Sequence, residues 1–373
     1  PTYSWAWPVD DFSSIVNSFT NHINITTFGD TIKDVAATAT LMYNHTVTNS
    51  MAGVIKMDGT VVTWGGSDTA TDELGHGTTY DAKTPQPPTQ VAGITNAELI
   101  FVEDHFRRWI VITSDNRLLT WGKNISSLTE MNIYADISGI KVTKIKSSEN
   151  LSFGVYLLLE DGRIATAGSV GLLGSNNHLF RDSDGFVPGI TDAIDIEIGN
   201  SCSFVLLSTG EVLSMGRQQY GTLGRSVTDL QYDGPGTVTG LGPDSGVVQI
   251  VASQLSAFAV FSDGKVKSWG YNPSDDRLLL RASGNNNSSI TEPTLITVLP
   301  PIEKILGISY QGGMRATALT KTGELIGWFP GNTIIWGYSN WYPTLSSSGP
   351  HIPTPLVNTS ELLYRLPAVI KVS

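Results

Sequence analysis

Acidic residues and histidines are the side chains of this sequence whose types could bind a metal or transfer a proton. Residues 182–185, DSDG, resemble the opening of a calcium-binding loop, but residues 187–188, VP, stand where a later carboxylate ligand is expected. His76 closely follows Asp72 and Glu73, yet this spacing is not that of a zinc site. Metal binding is disfavoured at residues 182–185, and a solvated loop residue is the favoured interpretation of His76, so the sequence predicts no metal and no cofactor.

Residues that could form a catalytic centre are equally sparse. Asp104 and His105 form an adjacent acid and imidazole pair, and Asp275 and Asp276 would point to opposite sides of a strand. The sequence contains no Gly-x-Ser-x-Gly elbow, phosphate-binding glycine loop or dinucleotide fingerprint. Cys202, the single cysteine, lies just before an apolar run and is expected to be a small buried residue. The sequence therefore predicts no catalytic residue.

The elements around these residues are repeated hairpins, of which residues 262–272, SDGKVKSWGYN, are the fullest copy. A turn residue separates an apolar run from a strand of alternating residues that ends at Trp-Gly, as is typical of a tight β-hairpin. Asn116 replaces glycine in one copy, and asparagine is the other residue that tolerates positive φ. The turn positions are Gly59, Asn116, Gly162, Gly210, Gly264 and Gly323.

Two apolar stretches precede each turn and predict two further strands for each repeat. A period of roughly fifty residues built from several strands is typical of a propeller, in which each blade packs on its neighbours. The stretches directly before the turns are residues 52–55, 109–112, 155–159, 204–207, 258–261 and 316–319. The stretches further upstream are residues 34–36, 99–102, 142–145, 194–198, 247–251, 302–306 and 369–372.

The hairpin, its tryptophan and the loop that follows resemble the regulator of chromosome condensation repeat family. The family carries a Gly-Gln-Leu-Gly-like loop, which is similar to residues 73–77 (ELGHG), 172–174 (LLG) and 222–224 (TLG). The second copy lacks this loop after residues 121–122, and in the sixth copy residues 329–330, FP, replace the strand-ending glycine. The resemblance covers nearly the whole chain and implies an all-β fold, a seven-bladed β-propeller.

The ends of the chain are expected to meet in one incomplete blade. Residues 1–373 are predicted to form a single propeller domain, in which residues 1–8 close the last blade, residues 9–33 connect, and residues 34–373 contain the repeats. The last blade would lack a buried strand and a turn. Either the chain has been cut from a longer polypeptide, or a partner donates the missing strand by β-addition.

Long connections rich in Gly, Pro, Ser and Asn are expected at the rims of the ring, where binding surfaces are usually built. The connection at residues 331–355 contains Trp336, Tyr338, Trp341 and Tyr342. Exposed aromatic residues of this kind could stack on sugar rings or anchor a protein partner. The alternative is that they cover the open edge of an irregular blade.

Charge and glycan acceptor patterns bear on the cellular location. The formal net charge of −11 and the pI near 4.9 disfavour a broad nucleic-acid-binding surface. No stretch is long and apolar enough to span a membrane. An excess of Asn-x-Ser/Thr patterns favours an extracellular or surface protein, with a cytoplasmic location as the alternative. These N-glycosylation acceptors are Asn24, Asn44, Asn124, Asn150, Asn286, Asn287 and Asn358.

The leading functional hypothesis is a non-enzymatic module that binds a protein or a glycan, or that self-assembles, on an extracellular, filament or virion surface. The resemblance implies protein binding and supplies an alternative, an intracellular guanine-nucleotide exchange factor for a small GTPase. A carbohydrate-active propeller enzyme is the third hypothesis, since propellers can carry carboxylate pairs at the central channel.

Overall fold

The computed structural model describes residues 32–37, 51–65, 72–78, 86–103, 107–123, 125–147, 153–172, 179–199, 202–227, 232–253, 255–272, 288–309, 315–328 and 354–355. Within these residues the secondary structure is all β, as the sequence predicts, and no helix is present. The strands are β1 (Ile32–Ala37), β2 (Met51–Lys56), β3 (Val61–Gly65), β4 (Gln86–Gln90), β5 (Ala97–Glu103), β6 (Arg108–Thr113), β7 (Leu118–Gly122), β8 (Ile125–Met131), β9 (Val142–Ser147), β10 (Gly154–Leu159), β11 (Ile164–Gly168), β12 (Gly171–Leu172), β13 (Phe180–Arg181), β14 (Ala193–Ile198), β15 (Cys202–Leu207), β16 (Val212–Gly216), β17 (Asp233–Thr237), β18 (Val247–Ala252), β19 (Ser256–Phe261), β20 (Val266–Asn272), β21 (Ser288–Leu295), β22 (Ile302–Ser309), β23 (Arg315–Thr320), β24 (Leu325–Trp328) and β25 (Thr354–Pro355).

The chain divides into two compact units, between residues 132 and 133 in the described part. Unit 1 contains two four-stranded sheets with the orders β1-β2-β3-β4 and β5-β6-β7-β8. Unit 2 contains a three-stranded sheet, β11-β10-β9, a short parallel pair, β12-β13, and three four-stranded sheets, β14 to β17, β18 to β21 and β22 to β25. In every larger sheet, neighbouring strands are sequential and antiparallel, so each sheet is one folded repeat.

The turns between the second and third strands have the backbone that the sequence predicts. Asn116 has a φ of 61°, and the five glycines at the same repeat position have φ values between 79° and 88°. At Gly59 an added Cβ would also lie 2.5 Å from the carbonyl oxygen of Thr95. Positive φ therefore explains why glycine or asparagine recurs at this position, and the close backbone approach at Gly59 leaves room only for glycine there.

The strands of the described residues coincide with the predicted apolar stretches, and several extend a few residues beyond them. Strand β1, for example, begins at Ile32, which pairs with Lys56 across the sheet. Sheet β9 to β11 has no full fourth strand among the described residues, and isolated bridges at Ile133 and Phe186 take that place. The predicted closing strand at residues 1–8 and the stretch 369–372 lie outside the described residues, so the incomplete last blade stays a prediction.

The second strand of each repeat is the most deeply buried element. Every residue of β6, β10 and β15 is buried, which is why these strands read as continuous apolar runs. Phe204 and Trp269 are fully buried and meet edge to face, with ring centroids 5.7 Å apart. Burial of each such side chain contributes about 1.5–3 kcal/mol. The repeats are therefore joined by apolar packing between consecutive sheets of the same unit.

Polar side chains join the first strands of neighbouring repeats at one recurring register position. In unit 1 the carboxylate of Asp34 accepts the N–H of Ile100 at 3.0 Å. In unit 2 the amide of Gln249 both donates to the carbonyl of Ile305 and accepts from its N–H, each at 2.9 Å. Because these bonds fix the register of adjacent sheets, they position the loops at the ends of the strands.

Candidate recognition surface

The Gly-Gln-Leu-Gly-like loops are anchored by their leucines. Leu74 in unit 1 and Leu223 in unit 2 are fully buried. The carbonyl of Leu74 accepts from the hydroxyl of Thr63 at 2.6 Å, and that of Leu223 from Ser214 at 2.7 Å. Thr63 and Ser214 occupy the same position on the third strand of their repeats. The loop is thus fixed to the sheet from which it emerges.

The glycine of the Gly-Gln-Leu-Gly-like loop packs against a tryptophan of the next repeat. An added Cβ at Gly224 would lie 2.7 Å from Nε1 of Trp269 and face a φ of 64°, so only glycine fits there without strain. The same indole N–H donates to the carbonyl of Thr222 at 2.9 Å. The repeat motif is therefore a joint between consecutive sheets, and its leucine, glycine and tryptophan have structural roles.

Unit 1 forms this joint in a different way. The carbonyl of Glu73 accepts from Nε1 of Trp109, at 3.0 Å, rather than from the repeat tryptophan Trp121. Trp121 stacks on Trp109 instead, with ring centroids 5.9 Å apart and an interplanar angle of 9°. Within the described residues, the Nε1 of Trp121 has no hydrogen-bond acceptor. The stacked pair thus takes the place of the single tryptophan of the other joint.

In unit 2, side-chain hydrogen bonds hold the whole loop from Arg217 to Arg225. Gln218 donates to the carbonyl of Arg225 and accepts from the N–H of Leu223, each at 2.9 Å. The hydroxyl of Thr222 donates to the carbonyl of Arg217 at 3.1 Å. The guanidinium of Arg225 binds Ser214 through Nε and Nη2, each at 3.0 Å. With so many bonds within a few residues, the loop is a rigid element of the surface.

This rigid loop presents Tyr220 to solvent. Tyr220 has a φ of 56°, which is unusual for a bulky residue, and 44% of its surface is exposed. Its ring contacts that of Tyr271 at the end of β20, with centroids 4.5 Å apart and planes tilted by 39°. The next residue, Gly221, packs so closely on β21 that a Cβ would lie 2.7 Å from Cα of Thr291. The loop therefore holds Tyr220 in a strained backbone conformation against the neighbouring sheet.

An aromatic pair with one exposed ring packed against a half-buried one is suited to binding a partner. Tyrosine buries a large apolar ring, offers a hydroxyl for hydrogen bonds and loses little side-chain entropy when it is already held in place. Residues held in sparsely populated backbone conformations cluster at functional sites. Arg217, Thr291 and Glu292, which lie on the same loop or on β21, are also exposed. The pair therefore has an apolar centre and polar surroundings, as protein-binding surfaces do.

Two charged clusters in the structure are paired internally. In unit 1, Arg107 and Glu73 form a buried ion pair, with Nη2 and Oε1 3.3 Å apart. In unit 2, Lys144 binds both Asp195 and Glu197, and Lys146 binds Glu197 at 2.9 Å.

The ion pairs of this cluster in unit 2 determine the charge states of Glu197 and Lys144. Burial by itself raises the pKa of Glu197, but Lys146 and Lys144 outweigh it, so the pKa lies below its ordinary value. Burial by itself lowers the pKa of Lys144, but Glu197 and Asp195 raise it above the usual range. Both groups are therefore charged at neutral pH, and the cluster is a stabilising network between β9 and β14.

The two acidic groups whose sequence resembles metal ligands lie in turns. Oδ1 of Asp182 accepts the N–H groups of Asp184 and Phe186, at 3.0 and 2.9 Å, which is an Asx-type turn. Oδ1 of Asp72 accepts the N–H of His76 at 2.8 Å. Nε2 of His76 lies 3.1 Å from the carbonyl oxygen of Thr63, and burial lowers the pKa of this imidazole.

Metal binding and membrane insertion can be assessed for the described part of the chain. Within it, no group of three or more His, Cys, Asp or Glu residues is arranged to hold a metal ion. Among the same residues there is no helix with the length and apolar content that crossing a bilayer requires. Cys202 is buried, as the sequence predicts.

Most of the site residues that the sequence predicts lie outside the described residues. This holds for the aromatic residues at 336, 338, 341 and 342, for all seven glycan acceptors, for the acid and imidazole pair at 104–105 and for the acidic pair at 275–276. Sequence analysis missed Tyr220 and Tyr271. The available signal was a tyrosine directly before the glycine of an intact motif loop, together with a tyrosine directly after a repeat Trp-Gly.

Comparisons with known proteins agree with the repeat pattern. No family model matches the chain. Protein pim1 of Schizosaccharomyces pombe is 23% identical over 250 residues, which cover 58% of this chain and 44% of pim1. Regulator of chromosome condensation of Mus musculus is 27% identical over 186 residues, which cover 50% of this chain and 41% of that protein. The chain thus spans less than half the length of either relative.

A solved structure shows the same fold. The crystal structure of Prp20p from Saccharomyces cerevisiae, described together with its binding to Gsp1p and histones, superposes with a TM-score of 0.60 at 16% identity. The match covers 89% of this chain and 87% of Prp20p. The count of seven blades stays a prediction, because residues of the last repeat lie outside the described part. The chain is a β-propeller built from repeats of the regulator of chromosome condensation type.

Proposed function

We propose that this chain is an intracellular protein-recognition module that binds a partner protein through Tyr220 and Tyr271. The observation on which the proposal rests is the contact between the exposed ring of Tyr220, on a loop held by side-chain hydrogen bonds, and the half-buried Tyr271 at the end of β20. Such a pair gains contact area on binding without a large loss of conformational entropy. Aromatic residues held in this way account for much of the binding energy of protein interfaces.

The relatives support a protein as the partner and favour the intracellular alternative. Prp20p, which shares the fold, binds Gsp1p and histones. The name of the mouse relative connects it with chromosomes. Neither comparison supports the predicted extracellular or virion surface. The net charge of −11 additionally favours a basic partner, because complementary charge accelerates association and selects against acidic competitors.

The test uses the proteins named for Prp20p as probes. Dissociation constants for purified histones and for Gsp1p are measured by biolayer interferometry with the wild type and with Y220A/Y271A. The proposal expects wild-type binding to at least one probe and a loss of affinity of about tenfold or more in the variant, as for a tyrosine hot spot. The melting temperatures of both proteins should agree within a few degrees, because both rings are partly exposed.

A matched control removes two other exposed apolar side chains from unit 2. Ile194 and Val248 are 55% and 53% exposed at the starts of β14 and β18, at the opposite end of the sheets from Tyr271. The I194A/V248A variant should bind as the wild type does. Equal loss in both variants, or unchanged affinity in Y220A/Y271A, would refute recognition through the tyrosines. Binding of glycans in place of either protein would assign the pair to sugar recognition.

Guanine-nucleotide exchange on a small GTPase is the second candidate. It is supported by the binding of Prp20p to Gsp1p and by the activity that the repeat family implies. The release of a fluorescent guanine nucleotide from a panel of GTPases, with and without this chain, tests it. Acceleration with any member supports exchange, whereas binding without acceleration leaves the simpler recognition function.

A further inference from the structure

Arg225 forms a dense set of hydrogen bonds with two neighbouring strands of unit 2. Its Nε donates to the hydroxyl of Ser214 on β16, and its Nη2 donates to the carbonyl of the same residue, each at 3.0 Å. On β17, Nη2 also donates to the carbonyl of Gly234, and Nη1 binds the carboxylate of Asp233, both at 2.6 Å. Most N–H groups of the guanidinium are thereby used within the protein itself.

The guanidinium lies at a break in the pairing between β16 and β17. The register shifts between Ser214 and Gly216, so β17 contains one extra residue there, which makes a β-bulge. The carbonyl of Gly234, within this bulge, accepts from Arg225. An added Cβ at Gly236 would lie only 2.8 Å from Cζ of Arg225. The position of the guanidinium therefore depends on the bulge and on the absence of a side chain at residue 236.

The same bonds fix the loop of residues 217–225 to the sheet. The hydroxyl of Ser214, which accepts from Arg225, donates to the carbonyl of Leu223 at 2.7 Å. The backbone carbonyl of Arg225 accepts from Gln218, which also accepts from the N–H of Leu223, each at 2.9 Å. Consecutive hydrogen bonds of this kind polarise and strengthen one another. Arg225 thus connects β16 with the segment that carries the exposed tyrosine.

Unit 1 contains the same contacts with a different side chain. His76 directly follows the loop glycine of unit 1, as Arg225 does in unit 2. Nε2 of His76 lies 2.9 Å from the hydroxyl oxygen of Thr63 and 3.1 Å from its carbonyl oxygen. Thr63 occupies the strand position that Ser214 has in unit 2. The residue after the loop glycine therefore ties the loop to the third strand in both units, and either side chain can do so.

Tyr220 needs such support because its backbone conformation is unfavourable. A φ of 56° at a bulky residue persists only where the surrounding structure enforces it. The loop of residues 217–225 contains no strand, so turns and side-chain hydrogen bonds determine its conformation. A loop that is ordered before a partner arrives loses less conformational entropy on binding.

We propose that Arg225 is a positioning residue, which holds the loop of residues 217–225 in the conformation that presents Tyr220 to the partner protein. The proposal rests on the proposed recognition through Tyr220 and Tyr271 and names the residue that prepares this surface. Only 11% of the Arg225 side chain is exposed, so it acts through the loop rather than by touching the partner.

Two variants displace the guanidinium by different routes, so the test remains valid if one of them fails to fold. R225M removes the donors and keeps a long side chain. G236A keeps Arg225 but places a methyl group against its guanidinium. G242A is the matched control, because no atom lies within 4 Å of an added Cβ at Gly242. R225H introduces the side chain that makes the equivalent contacts in unit 1 and should act as the wild type does.

Fluorine NMR of the free protein tests the positioning without any partner. The 3-fluorotyrosine resonance of Tyr220, assigned with Y220F, should move towards the position of an unfolded chain in R225M and G236A. It should stay in place in R225H and G242A. All spectra are recorded well below the lowest melting temperature of the set, so that every variant is folded. An unchanged resonance in both R225M and G236A would overturn the proposal.

Affinity separates positioning from a merely structural role. Dissociation constants for histones and for Gsp1p should rise about tenfold in R225M and G236A and stay at the wild-type value in R225H and G242A. A lower melting temperature with unchanged affinity would show that Arg225 only stabilises the fold, and recognition through the tyrosines would stand. Unchanged affinity in Y220A/Y271A, or a wild type that binds neither probe, would instead refute the proposed function.

Discussion

Gly75 lies so close to Trp121 that a Cβ built on the glycine would stand 2.7 Å from Nε1 of the indole. Gly224 and Trp269 have the same relationship in unit 2, also at 2.7 Å. The same glycine–tryptophan contact thus occurs in both joints, between residues that are far apart in sequence. This contact explains why glycine and tryptophan recur together in this chain. In these two joints the glycine and the tryptophan pack on each other across consecutive repeats.

Replacing Gly75 with alanine should therefore destabilise the protein strongly. The φ of 75° and the contact with Trp121 act together, so the loss should be about 2–5 kcal/mol. Gly77→Ala is the matched control, because Gly77 has a φ of 77° but no atom within 4 Å of its added Cβ, and it should lose about 1 kcal/mol. Urea unfolding measures both, and equal losses would show that packing on Trp121 does not matter.

Breaking the buried ion pair of unit 1 should cost far more than breaking an exposed one. Glu73→Gln leaves the charge of Arg107 buried beside a neutral amide, so about 3–5 kcal/mol should be lost. Glu130→Gln breaks the pair with Arg117, in which both side chains are about half exposed, and should cost less than about 1 kcal/mol. Similar urea midpoints for the two variants would contradict the assigned burial.

Acid should weaken unit 2 through Glu197. Its pKa is lowered in the folded protein, so the unfolded chain binds more protons between the folded value and the ordinary value near 4.5. The stabilisation is fully present above the unfolded pKa and is lost as the pH falls through the folded pKa.

The variant E197Q should accordingly be less stable than the wild type at neutral pH. Its melting temperature should also fall less than that of the wild type when the pH is lowered. Differential scanning calorimetry between about pH 3 and pH 7 measures the slope of melting temperature against pH. E324Q, which removes an exposed carboxylate on a turn of the same unit, is the control and should keep the slope of the wild type. An unchanged slope in E197Q would mean that Lys144 and Lys146 do not hold the carboxylate in its charged form.

The sequence predicts those features that the repeat imposes. The turn at Asn116 was predictable because positive φ restricts the residue type, and strands such as β15 were predictable because burial on both faces requires an apolar run. The Trp109–Trp121 stack was not predictable, since it depends on which indole reaches the carbonyl of Glu73 in three dimensions. Tyr220 and Tyr271 were missed for the same reason: they come from different repeats and meet only in the folded protein.

The central claim is that partner proteins bind on the rings of Tyr220 and Tyr271, and fluorine NMR tests it most directly. The protein is labelled with 3-fluorotyrosine at its 12 tyrosines, and the two resonances are assigned with Y220F and Y271F. Titration with histones, or with Gsp1p if that is the bound probe, should shift or broaden these two resonances more than the others. Saturated binding that leaves both resonances unchanged would contradict the account.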